Sequence, residues 1–133
     1  MTTTYDAYAA MPKALTLDEM RSLHNDILTE VGSDPDASEL YRDLMESAVR
    51  YAKFRMDWRF LSVGEKMDID SDRTSAHTSC ITKLNVLARC LRLQQKPAAW
   101  RDTLGDAETD PYIRKRIGDF ACYLAFVTAL NAR

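Results

Sequence analysis

The chain has 133 residues, which is enough for one domain with its own core and too few for two. Hydrophobic residues make up 46% and charged residues 29%, which excludes a disordered chain, while four Gly and four Pro exclude a loop-rich one. Eighteen Lys and Arg stand against twenty Asp and Glu, a net charge of -2, so nucleic acid gripped by the whole surface is disfavoured as a partner.

Residues 1–15 read as an N-terminal arm and 16–133 as a single all-helical domain. The start carries neither a basic n-region nor an apolar h-region, so no secretory signal is expected there. Thr16 and Glu19 form a capping-box pair, with Leu15 and Met20 as the hydrophobic staple. The first helix then runs from Leu17 to about Val31 and stops at Gly32. Asp34 caps the second helix and Pro35 takes its first position, where a missing N–H costs nothing. Leu40, Tyr41, Leu44, Ala48, Ala52 and Met56 sustain that helix to about Phe60.

Ser62 and Glu65 repeat the capping-box spacing and read as a short turn, with the third helix starting near Asp70 or Asp72 and ending near Gln95. Its core face is Ala76, Cys80, Ile81, Leu84, Leu87 and Leu91. Pro97 ends it or restarts the chain as a brief helix through Trp100, closed by Gly105. Asp110 and Pro111 open the last helix, which runs nearly to the C-terminus. With no alternating run and no hairpin dipeptide, the fold class is all-α: a compact bundle of four main helices plus one or two short ones.

The last helix is apolar on nearly every side over residues 120–130, which implies burial and is too short to span a membrane. Gly118, Ala121, Cys122, Ala125 and Ala129 form a stripe of small side chains. Such a stripe admits another helix closely, either within the chain or as a homodimer seam. Cys80, Cys90 and Cys122 make no even-numbered framework and read as reduced thiols of a cytoplasmic protein.

Charges that fall on core faces mark the candidate site. Arg55 projects into the Leu44–Ala48–Ala52 face with Arg59 one turn later and Trp58 beside them, and Arg73 and His77 share the stripe of Cys80 and Leu84. A short connection makes the second and third helices antiparallel, so these residues converge. Two readings follow. One is an internal ion-pair network with Asp70, Asp72 or Asp119. The other is a pocket for a small phosphate or carboxylate formed by Arg55, Arg59, Arg73, His77 and Asp70, helped by the N–H groups opening the third helix.

Other chemistry fails on spacing. Asp68, Asp70 and Asp72 resemble the start of a calcium loop, but Arg73 and Ser79 stand where Gly and Glu are required. His77 and Cys80 offer two zinc ligands, which are not a site. Arg114-Lys115-Arg116 is read as pairing locally with Asp106, Glu108 and Asp110, or else as a nucleic-acid contact. No phosphate loop, nucleophile elbow or metalloprotease motif occurs, so no cofactor, metal or catalytic residue is assigned and the chain leans away from an enzyme.

Three segments carry a resemblance: Asp70-Ser71-Asp72-Arg73-Thr74-Ser75-Ala76-His77, Asn85-Val86-Leu87-Ala88-Arg89, and Arg114-Lys115-Arg116-Ile117-Gly118-Asp119-Phe120-Ala121. Over about half the chain, the sequence resembles a small all-helical bacterial family of unknown function. That resemblance implies a compact helical bundle and assigns no activity, so it carries over no catalytic residue. The expected function is an interaction or regulatory module that self-associates through the last helix, with small-anion binding, and turnover of that anion, as the alternative.

Overall fold

The backbone of residues 14–58, 60–105 and 111–131 is described by a computed structural model, with side chains described through residue 128. Among these residues α1 spans Leu17–Val31, α2 Pro35–Trp58, α3 Val63–Leu93 and α4 Pro111–Asn131. A 3-10 turn at Ala99–Asp102 lies between α3 and α4, and no strand occurs among the described residues. The all-α bundle expected from periodicity and caps is the fold observed.

Local chemistry sets each boundary. Glu19 N–H donates to Thr16 Oγ1 (3.1 Å) and Thr16 N–H donates back to Glu19 Oε1 (3.0 Å), closing the capping box of α1. Gly32, at φ +54°, ends α1 in the left-handed region that favours glycine. Ala37 N–H donates to the Asp34 carboxylate (2.7 Å) at the start of α2.

The start of α3 corrects the sequence reading. Ser62 and Glu65 form a true N-cap, with both reciprocal bonds present, and the helix begins at Val63 rather than near Asp70 or Asp72. Asp70 and Asp72 are therefore exposed interior residues of a helix 31 residues long. The first buried residue of α3 is Ala76, so its opening turns bury no apolar face and carry no core periodicity.

Sequence-distant polar contacts tie the elements together. Glu30, near the end of α1, accepts Ala98 N–H and Trp100 Nε1–H (2.7 Å each) in its carboxylate, and its carbonyl accepts from Lys96 Nζ. At the other end of α1, Ala14 N–H donates to Asp119 of α4, and Leu15 is buried. Residues 14 and 15 of the expected arm thus belong to the packed domain; residues 1–13 lie outside the described residues.

The core joins Met20, Ile27, Leu44, Leu84, Leu91, Phe120 and Leu124, each at most 1% exposed. Burying each such side chain contributes about 1.5–3 kcal/mol. Every residue of α4 from Ile117 to Leu124 is buried. A Cβ on Gly118 would stand 2.9 Å from the Tyr51 hydroxyl and 3.1 Å from Arg55 Nη1, so glycine is what lets α2 approach α4 here. The small-residue stripe is used inside one chain at Gly118, while the Ala129 side chain lies outside those described. Among the described residues no helix is long and apolar enough to cross a membrane.

Candidate functional site

Antiparallel packing of α2 on α3 places Asp43 and Ser47 opposite Lys83, Ser47 opposite Ser79, and Tyr51 opposite His77. Lys83 Nζ donates to Ser47 Oγ (2.6 Å) and to the Asp43 carbonyl (3.3 Å), and the Tyr51 and His77 rings meet edge to face at 5.0 Å. One turn further along, Arg55 and Arg73 reach the same level. The first turns of α4 close over them. The result is a cleft of about 360 Å³ lined by Tyr51, Arg55, Arg73, Thr74, His77, Arg114 and Lys115.

Each cation is held differently. Arg55 Nη2 donates to Asp119 Oδ1 at 2.6 Å, and that carboxylate is fully shielded from solvent. Of the three carboxylates that the sequence offered, Asp119 is the one that answers Arg55. The Arg73 guanidinium lies over the Trp58 ring at 4.5 Å, and its Nε is buried without a hydrogen-bond partner. Arg114 and Lys115 enter from α4.

His77 is fixed between these charges. Its Nε2–H donates to the Arg114 carbonyl (2.9 Å), and Arg114 Nη2 donates to Nδ1 (3.4 Å). A carbonyl can only accept, so Nε2 carries the proton and the ring is neutral. Burial, and then the charges of Arg114, Arg73 and Arg55, hold its pKa below the ordinary histidine value, against an opposing pull from the carbonyl it bonds.

Arg55, Arg73 and His77 are brought together as the sequence implied. Asp70 is exposed and is not among the lining residues. It points from the middle of a helix rather than from a connecting segment, because α3 starts earlier than expected. For the same reason Arg73 and His77 stand several turns inside α3, and the N–H groups opening that helix take no part in the cleft. Arg59 lies outside the described residues, as does the acidic segment 106–110 that was expected to pair with the basic run. Sequence reasoning missed Tyr51, Thr74, Arg114 and Lys115 as site residues. The run Arg114-Lys115-Arg116 was the available signal, and a fold-dependent contact with His77 decides its use.

Four cations line the cleft, and none of its described lining residues is acidic. The buried Asp119 cancels Arg55, which leaves Arg73, Arg114 and Lys115 as cations of the lining with no carboxylate among its described residues. This arrangement suits an anion held by forked donors. It supplies little for bond-breaking chemistry. Both His77 nitrogens are engaged, burial pushes the nearby Cys80 thiol up to about 12, and burial also raises Tyr51 above the usual phenol value. Among the described residues no group of three or more His, Cys, Asp or Glu could hold a metal ion. No protein-family model, curated protein or solved structure matches the chain.

Proposed function

We propose that the protein binds a small phosphate- or carboxylate-bearing anion in the cleft between α2, α3 and the start of α4. The observation that carries this reading is the surplus of Arg73, Arg114 and Lys115 once Asp119 has neutralised Arg55. Like charges crowded in one cleft repel one another when it is empty, and an anion removes that repulsion. Binding without turnover fits the engaged histidine and the Cys80 thiol, which burial keeps protonated.

Thermal unfolding in the presence of inorganic phosphate and sulfate tests it. At a hundredfold excess over Kd the anion should add about 2.7 kcal/mol to stability. Lys115→Gln, at an exposed position, should weaken that response without lowering the melting temperature of the free protein. A melting temperature indifferent to phosphate, sulfate and citrate would exclude the cleft as an anion site.

A second reading, an interaction module that self-associates, is favoured by a different surface. Phe60, Val63 and Met67 are 70%, 76% and 74% exposed where α2 hands over to α3. Self-association would use this apolar tip rather than Gly118, which α2 already covers. Sedimentation at rising concentration should then show a dimer that Met67→Glu disperses; a monomer throughout would dismiss this reading. A cytoplasmic setting accords with Cys80, Cys90 and Cys122 as free thiols, which a reducing compartment preserves.

A further inference from the structure

The cationic cleft has a neighbour on the same side of α3. A second cleft, of about 500 Å³, is lined by Asn85, Ala88, Arg89, Arg92, Leu93 and Arg101, again with no acidic residue among the described lining. Asn85 Oδ1 is buried there without a hydrogen-bond partner. Thr74 of the first cleft and Arg92 of the second are separated by about five whole helical turns, so they project in one direction about 27 Å apart. The exposed hydroxyl residues Thr78 and Thr82 lie between them on the same half of the helix surface.

Carboxylates are missing from two segments that supply these clefts. Residues 73–96 contain no Asp or Glu, and neither do residues 111–118. Arg101 of the second cleft donates to the Leu104 carbonyl (3.1 Å), and Gly105 beside it packs near Ile113, the residue preceding Arg114. The net charge of -2 therefore hides a segregation. Whole-chain charge argues against a nucleic-acid partner only where the two signs are mixed, and neither cleft has an acidic residue among its described lining.

We infer that this face binds a single-stranded nucleic acid, one phosphate of which occupies the Arg73–Arg114–Lys115 cleft while the strand continues past Thr78 and Thr82 to Arg89 and Arg92. The inference rests on the anion reading of the first cleft and adds the chemical class of the ligand. Arginine forks and hydroxyls are the groups that grip a phosphodiester backbone. Leu93, 80% exposed, lines the second cleft, and Tyr112, 56% exposed, stands at the start of α4 with the Arg116 guanidinium over one face of its ring (4.8 Å). Bases can cover such apolar and aromatic surface, and a bare polyphosphate chain cannot.

Fluorescence anisotropy with a labelled twelve-residue oligothymidylate, at several salt concentrations, tests the inference on the intact chain. Arg89 and Arg92 are exposed, so the double variant Arg89→Gln, Arg92→Gln keeps the fold. It should weaken oligothymidylate binding about tenfold or more and flatten the log K against log salt plot by about 1.4, from about 0.7 per lost phosphate contact. Binding of inorganic phosphate, which needs only the first cleft, should stay unchanged. Phosphate binding together with oligothymidylate binding that is absent, or indifferent to the double variant, would overturn the strand and leave the anion cleft standing. Capture of inorganic polyphosphate but not oligothymidylate would overturn it equally. If phosphate itself fails to bind the unaltered protein, the cleft reading falls first and the strand with it.

Discussion

Arg55 illustrates how a residue can serve the fold and the site at once. Its side chain is 14% exposed and that of its partner Asp119 is fully buried, so neither charge is tolerable alone. Arg55→Ala should strand the carboxylate and cost about 3–5 kcal/mol in denaturant unfolding near neutral pH. Replacing Asp119 by Ala in the same chain should recover part of that loss, since the stranded charge is then gone. An Arg55→Ala protein as stable as its parent would show that the pair does not hold the helices together. The sequence named Arg55 correctly because an arginine on an apolar face stands out. It offered three carboxylates as partners and could not choose, since the choice depends on how α4 lies across α2, a contact between residues 64 positions apart.

Among the helices, those that announce their ends chemically were legible in the sequence. Thr16 with Glu19, and Asp34 with Pro35, fix two starts because capping depends only on neighbours in the chain. Ser62 with Glu65 sent the same signal. That signal is masked because the exposed opening turns carry no apolar periodicity before Ala76, and the aspartates at 70 and 72 imitate a later cap. That misplacement carried Asp70 into the expected pocket. The C-terminus of α3 is a Schellman arrangement: Lys96 N–H donates to the Leu91 carbonyl and Gln95 N–H to the Arg92 carbonyl, each at 3.0 Å. Gln95 holds φ 63°, a conformation that costs an L-residue roughly 1–2 kcal/mol. Gln95→Gly, at an exposed position, should therefore stabilise the protein by about 0.5–1 kcal/mol, after the greater chain entropy that glycine loses on folding. A lower denaturation midpoint in that variant would show that the Gln95 side chain contributes more than its backbone strain removes.

For the molecule as a whole, two buried histidines couple stability to pH and report on different regions. His24 of α1 faces α2 and α4, its Nδ1 hydrogen-bonded with the Tyr41 hydroxyl (2.5 Å) and the Tyr123 ring edge-on, and burial holds its pKa below the ordinary value. His77 is depressed by burial and by the cations of the cleft. In the unfolded chain both titrate near about 6.5. Between that value and their lower folded values the unfolded state binds more protons, so stability rises with pH across that window. It is fully present above about 6.5 and declines as the solution is acidified. Sulfate separates the two groups, since it keeps its charge throughout this range. Bound beside Arg73 and Arg114, it offsets the charges that depress His77 and should raise that residue's titration midpoint, while His24, outside the cleft lining, keeps its own. Proton NMR of the two imidazole rings, followed from about pH 8 to 5 with and without saturating sulfate, reads each midpoint separately. A His77 curve unmoved by sulfate that demonstrably stabilises the protein would mean that the anion sits elsewhere. Equal movement of both curves would point to general screening by salt rather than occupation of the cleft.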